Sequence, residues 1–163
     1  MELKTTLTQH VNAPAAKVWA VVTDIPGSPA TLSAVQSVQL ITGSAYAEGT
    51  RWRETRTMFG RPETVEMWVS RCEPPSPGRA GSAGSTGSTT VQARQSGTDY
   101  TSRFSLAERD GGTDLTLTFT AVPVRTTRLA RAAMVVFGPL GMRLTRKGLA
   151  RDLAEIAGKA EGL

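Results

Sequence analysis

The spacing of apolar residues changes along the chain, and this change limits the folds that the sequence can adopt. Between Val35 and Val122, short runs of alternating apolar and polar residues are separated by turn residues, which predicts consecutive strands in an antiparallel meander. Between Leu129 and Ala160, apolar residues instead recur at helical spacing, which predicts a long amphipathic helix. Such a helix must cover its apolar stripe, and the sheet is the only large apolar surface that the rest of the chain offers.

One further strand and a pair of short helices are predicted ahead of the meander. Leu3 to Val11 alternates as a strand. Ala15 to Val22 is predicted to be helical, and a second short helical piece extends from Asp24 to about Leu32. In the long helix, Gly138-Pro139 is expected to produce a kink or a division into separate pieces. The strands predicted for the meander are Val35 to Thr42, Thr50 to Phe59, Glu63 to Cys72, Thr89 to Gln95, Asp99 to Ala107 and Thr113 to Val122.

The segment from Pro74 to Ser88 differs in composition from the rest of the chain. It consists mainly of Pro, Gly, Ser and Ala, which bury too little apolar surface to offset the entropy of ordering. Because hairpin periodicity resumes directly after it, we interpret the segment as a flexible loop. The whole chain, residues 1–163, is accordingly predicted to form a single domain.

The numbers of cysteines and histidines limit the kinds of site that the chain can build. Cys72 is the only cysteine, so no intrachain disulfide can form and a reducing compartment is expected. His10 is the only histidine, which leaves a histidine-based metal site and a Ser-His-Asp triad without support. The sequence also lacks a Walker loop and a dinucleotide fingerprint, so neither a metal nor a cofactor is expected. Because the N-terminus lacks the order of a signal peptide, the protein is predicted to be soluble and cytoplasmic.

Basic residues are concentrated between Arg125 and Arg151. No acidic residue interrupts this run before Asp152, and the chain as a whole has a formal net charge of +5. We interpret the run as a solvated helix face. No nucleic-acid-binding signature accompanies it, so a nucleic-acid partner is not expected, whereas contact with an anionic membrane surface stays open as an alternative. The sequence also leaves open whether the protein is a monomer or a homodimer.

Short motifs distributed along the chain carry a resemblance to one superfamily. They are Val11-Asn12-Ala13-Pro14 followed by Val18-Trp19, Asp24-Ile25-Pro26, Gly49-Thr50-Arg51-Trp52, Glu73-Pro74-Pro75, and Gly111-Gly112-Thr113 with Leu115. In this order and spacing they resemble the START-like, helix-grip (SRPBCC) superfamily and its polyketide cyclase/dehydrase-like subgroup. The resemblance implies an α+β helix-grip fold, in which a curved seven-stranded antiparallel sheet surrounds a long C-terminal helix and two short helices lie between strands 1 and 2. It also implies a cavity between sheet and helix that binds hydrophobic ligands, without choosing among transport, sensing and catalysis.

The predicted hairpin around Gly60-Arg61-Pro62 has faces that can be assigned from its pairing. With a loop of two or four residues, Glu54 opposes Met67, and side chains alternate between the faces. The opposite face is polar except for Trp68, which Arg53 is expected to cover in a cation–π contact. The mostly apolar face, which is expected to point inward, consists of Trp52, Glu54, Arg56, Met58, Val65, Met67 and Val69.

Glu54 and Arg56 are the informative members of this inward face. Charges on a mostly apolar surface are unfavourable unless they are paired or hydrated. Side chains two apart on a strand lie about 7 Å from each other, so a salt bridge between them is feasible. The pair could anchor the polar end of a ligand, perform acid–base chemistry on it, or serve as a structural ion pair at the end of the sheet.

Further inward-facing residues complete the predicted ligand-binding wall. Tyr100 either donates a hydrogen bond into the cavity or is an ordinary tyrosine near a strand edge. The other predicted contacts are Phe104, Leu117 and Phe119 from the sheet, and Val136, Phe137 and Leu140 from the helix.

These residues support alternative functions. The first is binding of a lipid, polyketide or similar hydrophobic metabolite, which the mostly apolar inward face favours. The alternative is a polyketide cyclase/aromatase-like enzyme, in which Glu54 is the general base and Arg56, assisted by Tyr100, stabilises an enolate oxygen. The sequence does not decide whether the protein is an enzyme.

Overall fold

Strands and helices follow one another along the chain in the predicted order. The computed structural model describes residues 2–76, 84–124 and 127–163, with the side chains of all of these except 129–137. The strands are β1 (Leu3–Val11), β2 (Val35–Thr42), β3 (Arg51–Met58), β4 (Arg61–Ser76), β5 (Thr86–Gln95), β6 (Thr98–Arg109) and β7 (Gly112–Pro123). The helices are α1 (Ala15–Thr23), α2 (Ser28–Thr31) and α3 (Arg128–Glu161).

All of these strands belong to one antiparallel sheet. Their order in the sheet is β1-β7-β6-β5-β4-β3-β2, so every strand except β1 lies beside its neighbour in the sequence. β1 returns to pair with β7, and its pairing extends from Leu3 opposite Ala121 to Val11 opposite Thr113. The sheet is curved, α1 and α2 lie between β1 and β2 in the chain, and α3 follows at the C-terminus, so the predicted helix-grip fold is confirmed.

The same kind of tight turn closes the β3–β4, β5–β6 and β6–β7 hairpins. Phe59-Gly60, Ser96-Gly97 and Asp110-Gly111 all have positive φ, 51° at the first residue and 76–79° at the glycine. Positive φ at both central residues is the signature of a type I′ turn, whose twist matches that of the flanking strands. Glycine at the second position tolerates this φ because it has no Cβ.

The β3–β4 turn lies one residue earlier than predicted. β3 ends at Met58, which lies opposite Arg61, and Glu54 therefore pairs with Val65 instead of Met67. The predicted register was thus wrong by two residues. The loop still contains an even number of residues, so the predicted assignment of side chains to the inner and outer faces of the hairpin is retained.

The same register shift changes a contact on the outer face of the hairpin. Arg51, not Arg53, lies opposite Trp68, and its guanidinium carbon is 5.2 Å from the centre of the indole ring. The predicted cation–π contact is therefore made by the arginine two positions earlier. Arg51 also donates a hydrogen bond of 3.2 Å to Glu66, which orients it over the ring.

The predicted loop from Pro74 to Ser88 is shorter in the structure. β4 continues to Ser76 and β5 begins at Thr86, so both ends of the segment belong to the sheet. These strand ends contain few apolar residues, but they pair with each other, and this pairing satisfies their backbone hydrogen bonds. Residues 77–83, which fall inside the predicted loop, lie outside the described residues.

α3 is one helix from Arg128 to Glu161, with Pro139 inside it. Of the two alternatives expected at Gly138-Pro139, the division into separate pieces does not occur, and the kink stays a prediction. Polar contacts fix the C-terminal half of the helix to the rest of the fold. The Asn12 N–H donates to Glu161 Oε1 at 3.0 Å, and the Ser33 N–H donates to Glu155 Oε2 at 2.9 Å.

Buried apolar residues of the sheet and the helices form two clusters. The larger cluster joins α1 and α3 to β1, β6 and β7 through Val11, Val18, Leu106, Leu115, Leu117, Leu153 and Ile156. The smaller cluster contains Ile25, Trp52, Val69 and Val91.

The two halves of α3 differ in burial. Leu153 and Ile156, in the C-terminal half, are buried in the larger cluster, whereas Leu140 and Leu144, which precede them, are 57% and 47% exposed. The C-terminal half of α3 therefore packs on the sheet, while space is left beside the preceding turns.

Candidate functional site

A cavity of about 510 Å³ borders both apolar clusters. Its wall combines the inner faces of β3 to β7 with side chains from α1, α2 and α3. Inward-facing positions alternate along a strand, so most of the residues that β3 to β7 contribute lie two positions apart. The predicted residues that line it are Trp52, Glu54, Arg56, Met58, Val65, Met67, Tyr100, Phe104, Leu117 and Phe119.

The other predicted ligand contacts are placed differently. Val69 is 1% exposed and packs in the smaller apolar cluster, and it does not line the cavity. Leu140 is 57% exposed and does not line the cavity. The side chains of Val136 and Phe137 lie outside the described residues.

Several residues of the wall were not identified from the sequence. Tyr46 comes from the connection between β2 and β3, which has no periodic pattern that would reveal its direction. Asp152 could have been found, because it follows Leu149 by three residues and precedes Ile156 by four. That spacing places it on the same helix face as both apolar residues. Asp152 is therefore recognisable from the sequence as a carboxylate within an apolar helix stripe.

Glu54, Arg56 and Asp152 form two ion pairs on the cavity wall, and Arg56 is the member that both pairs share. Arg56 Nε donates to Glu54 Oε1 at 2.8 Å, and Arg56 Nη1 donates to Asp152 Oδ2 at 3.1 Å. The carboxylate side chains are only 8% and 11% exposed, while that of Arg56 is 25% exposed. The predicted proximity of Glu54 and Arg56 on one strand is thus present, and Asp152 extends the pair to α3.

The charges within this group compete with one another and with burial. Burial opposes the charge on Arg56, but Asp152 and Glu54 outweigh it and raise the pKa of the guanidinium. Burial also raises the pKa of the Asp152 carboxyl, in opposition to the attraction of Arg56, and the Glu54 charge acts in the same direction as burial. With all members ionised, the group carries one positive and two negative charges, a net charge of −1.

A second polar group of the wall is the phenol of Tyr46. Its hydroxyl lies 2.7 Å from Thr89 Oγ1, and Thr89 in turn donates to the Arg71 carbonyl at 2.9 Å. Since the Thr89 proton is used on that carbonyl, Tyr46 is the donor in the first hydrogen bond. The Tyr46 ring also meets Trp19 edge to face, with centroids 6.3 Å apart. Burial raises the pKa of Tyr46 to about 12.

Replacing Tyr46 by phenylalanine is expected to remove the highest step from an absorbance titration of the tyrosines. The phenol ionises at about 10 when unfolded and about 12 when folded, so the native state loses stability as the pH rises through this window. Tyr46→Phe should flatten that dependence. At neutral pH it should lower the free energy of unfolding by about 1 kcal/mol, because the hydrogen bond to Thr89 is lost.

Tyr100 is the only other tyrosine, which makes Tyr100→Phe the matched control. That variant retains Tyr46 and should keep the step near pH 12. Disappearance of the step in Tyr100→Phe, with its survival in Tyr46→Phe, would contradict the assignment.

Tyr100 itself lies on the cavity wall and is stacked on Phe119, with ring centroids 5.9 Å apart and planes inclined by 28°. No residue in the described ranges forms a hydrogen bond with its hydroxyl. The stacking fixes the ring, and the hydroxyl is left able to donate or accept a bond from a bound molecule.

Part of the basic run predicted from the sequence borders the cavity. The side chains of Arg143, Lys147 and Arg151 are exposed, and the last two also border the cavity. Arg146 is likewise exposed but donates to Thr5 Oγ1 at 2.6 Å.

Within residues 2–76, 84–124 and 127–163, no helix combines the length and apolarity that crossing a membrane requires.

Comparison with known proteins places the chain in one family. Residues 2–161 match the family described as "Polyketide cyclase / dehydrase and lipid transport". None of the curated proteins matches the chain by sequence.

Solved structures of the same superfamily share the fold at low sequence identity. The Zhui aromatase/cyclase from Streptomyces sp. R1128 is 16% identical, with 99% of this chain and 94% of that chain covered and a TM-score of 0.74. A START superfamily protein from Mycobacterium smegmatis is 14% identical, with 98% and 97% covered and a TM-score of 0.69. Truncated norcoclaurine synthase from Thalictrum flavum is 14% identical, with 96% and 92% covered and a TM-score of 0.65.

The family match covers nearly the whole chain, and the neighbours share its curved sheet and C-terminal helix. The fold is thus of the ligand-binding and cyclase type, and the resemblance noted from the sequence motifs is confirmed. The chain belongs to the polyketide cyclase/dehydrase and lipid transport family of the START-like, SRPBCC superfamily.

Proposed function

We propose that the protein binds a small, largely apolar molecule in the cavity between the sheet and α3. The observation that carries the proposal is the make-up of the cavity wall, most of whose surface is apolar and in which aliphatic and aromatic side chains outnumber the polar ones. The volume of about 510 Å³ falls within the range of about 300–1,000 Å³ that is typical of ligand pockets. Each Å² of apolar wall that a ligand covers contributes about 25 cal/mol to binding.

Beside Glu54, Arg56 and Asp152, the wall favours a neutral polar substituent of a ligand over an anionic one. Arg56 is already shared by Glu54 and Asp152, so its charge is more than balanced. An anion placed beside this group would meet net negative charge. A hydroxyl could instead donate to Glu54, and a hydroxyl or carbonyl could accept from Arg56 or from the Tyr100 hydroxyl, which has no partner among the described residues.

Filling the cavity by mutation is expected to abolish binding. Ser102 lines the cavity from β6, and Ser102→Trp places an indole in the space that a ligand would occupy. We expect the affinity for the neutral fluorescent probe N-phenyl-1-naphthylamine to fall by at least about tenfold, since most of the apolar contact area is lost. Fluorescence titration of wild type and variant measures this change.

The matched control is Thr101→Trp. Thr101 is the neighbouring residue of the same strand, so its side chain points to the opposite face of the sheet. This control adds the same indole outside the cavity and should bind the probe within about twofold of wild type. Equal affinity of all three proteins, or the absence of saturable binding to wild type, would refute the proposal.

A second candidate is catalysis of the polyketide cyclase or aromatase kind. Its support is the position of Glu54, a nearly buried carboxylate that lines the cavity, together with the family description and the Zhui aromatase/cyclase among the neighbours. In this hypothesis Glu54 takes a proton from an acidic carbon, and Arg56 and Tyr100 stabilise the enolate oxygen. One oxygen of Glu54 already accepts a hydrogen bond from Arg56 Nε, so the other oxygen, Oε2, would take the proton.

Turnover of a poly-β-ketone surrogate separates the candidates. Glu54→Gln keeps an oxygen that can accept from Arg56 Nε, so the fold and the binding of the neutral probe should be retained. Loss of turnover in this variant with probe binding intact would favour the enzyme. Turnover that persists in Glu54→Gln would reject Glu54 as the general base.

A further inference from the structure

The mouth of the cavity can be recognised from residues that line it and are also exposed. On the sheet side these are Phe59, which is 65% exposed, and its turn partner Gly60. On the helix side they are Leu144, Lys147 and Arg151. The opening therefore lies between the β3–β4 turn and one face of α3.

Lys147 and Arg151 lie at this mouth and have no counter-ion among the described residues. They lie four residues apart on α3, so their side chains are neighbours on the same helix face. No carboxylate in the described ranges forms an ion pair with either of them. The nearest acids along the helix are engaged elsewhere, because Asp152 bonds Arg56 and Glu155 bonds the backbone of Ser33. Like charges at this spacing repel each other, and an anion bound between them would relieve the repulsion.

The charge distribution along the cavity is therefore asymmetric. The inner group of Glu54, Arg56 and Asp152 carries a net charge of −1, whereas the mouth carries the two positive charges of Lys147 and Arg151. Most of the remaining wall surface is apolar. The mouth would attract the anionic head of a molecule whose body is apolar. In the reverse orientation, the inner group would repel that head.

From this asymmetry we propose that the ligand is an amphiphile with an anionic head, held at the mouth by Lys147 and Arg151 while its apolar body fills the cavity. The inference rests on the proposed binding function and narrows the ligand class. An alkyl carboxylate is the simplest molecule of this chemistry. The head forms charge-assisted hydrogen bonds with both cations and stays partly hydrated, so the cost of desolvating the ions is small.

Alkyl chains of equal length with different heads test the proposal. Dodecanoate, dodecanol and dodecyltrimethylammonium compete with N-phenyl-1-naphthylamine for the wild-type protein at pH 8, the two ions below their micelle concentrations and dodecanol below its solubility limit. We expect dodecanoate to bind about tenfold more tightly than dodecanol, and dodecyltrimethylammonium to bind more weakly than both. The advantage of dodecanoate should largely disappear in 1 M salt, because the cations are exposed to solvent.

Substitutions at the mouth test the residues themselves. The double variant Lys147→Gln/Arg151→Gln should bind dodecanoate about tenfold more weakly and dodecanol within about twofold of wild type. The matched control is Arg143→Gln/Lys159→Gln, which removes the same charge from exposed sites on α3 that do not line the cavity. It should leave both affinities within about twofold of wild type.

The possible failures are distinguishable. Dodecanol binding as tightly as dodecanoate, or equal effects of the two double variants, would overturn the anionic-head proposal while leaving apolar binding in place. If none of the three amphiphiles and no neutral probe binds, the proposed binding function fails, and this inference falls with it.

Discussion

Arg56→Leu is expected to lower the free energy of unfolding at pH 7 by about 3 kcal/mol. The substitution leaves Glu54 and Asp152 as buried carboxylates with no cation between them, and their side chains are only 8% and 11% exposed. Removing one member of a buried ion pair costs about 3–5 kcal/mol because the remaining charge is desolvated and unpaired. We expect the lower end, since the group borders the cavity and Arg56 is itself 25% exposed. Urea unfolding of both proteins measures the difference.

The pH dependence and a control variant identify the cause of this loss. Burial raises the pKa of the Asp152 carboxyl, and without Arg56 the attraction that opposes this rise is lost, so the deficit should be large at pH 7 and shrink as the pH falls toward about 4. Arg53→Leu removes the neighbouring outward arginine, whose guanidinium is 3.9 Å from Glu66 in an exposed pair. It should change stability by less than about 0.5 kcal/mol. A deficit that is equal in the two variants, or that grows at acidic pH, would contradict the electrostatic explanation.

Leu153→Ala is expected to destabilise the protein by about 3 kcal/mol. Leu153 is 2% exposed and packs in the larger apolar cluster, where α3 meets the sheet. Deleting a buried leucine side chain costs about 2–5 kcal/mol, through lost burial and through the cavity that it leaves. Thermal or urea denaturation gives the value.

Leu144→Ala is the matched comparison for Leu153→Ala. Leu144 lies on the same helix but is 47% exposed at the mouth of the cavity. Its truncation should cost less than about 1 kcal/mol and should weaken binding of an alkyl ligand, because it removes apolar surface from the wall. Similar losses of stability in the two variants would show that α3 packs on the sheet along its whole length, which the account excludes.

The sequence predicts the fold in most of its detail because local patterns agree with the overall topology. Alternation identifies the strands, and β1 and β2 begin and end at the predicted residues. The change to helical spacing identifies α3. The register of the β3–β4 hairpin was not predictable in the same way. Its turn places Phe59 at a φ of 51°, and an aromatic residue is an uncommon choice for that conformation.

The functional site was predictable only where one strand carries the signal. Glu54 and Arg56 stand out because they are charges on an apolar face of β3, and the structure pairs them. Their third partner, Asp152, is 96 residues from Arg56 in sequence, so no local pattern connects the two. Lys147 and Arg151 belong to a basic run that resembles any solvated helix face, and only the tertiary structure shows that they border a cavity.

The position of a bound apolar molecule is the most direct test of the account. Intermolecular nuclear Overhauser effects between unlabelled dodecanol and the ¹³C-labelled methyl groups of the protein report that position. The account predicts contacts to Met67 and Leu117 on the cavity wall, and none to Leu40 and Ile41, which are exposed on β2. Contacts confined to Leu40 and Ile41, or a saturating ligand that reaches neither Met67 nor Leu117, would contradict it.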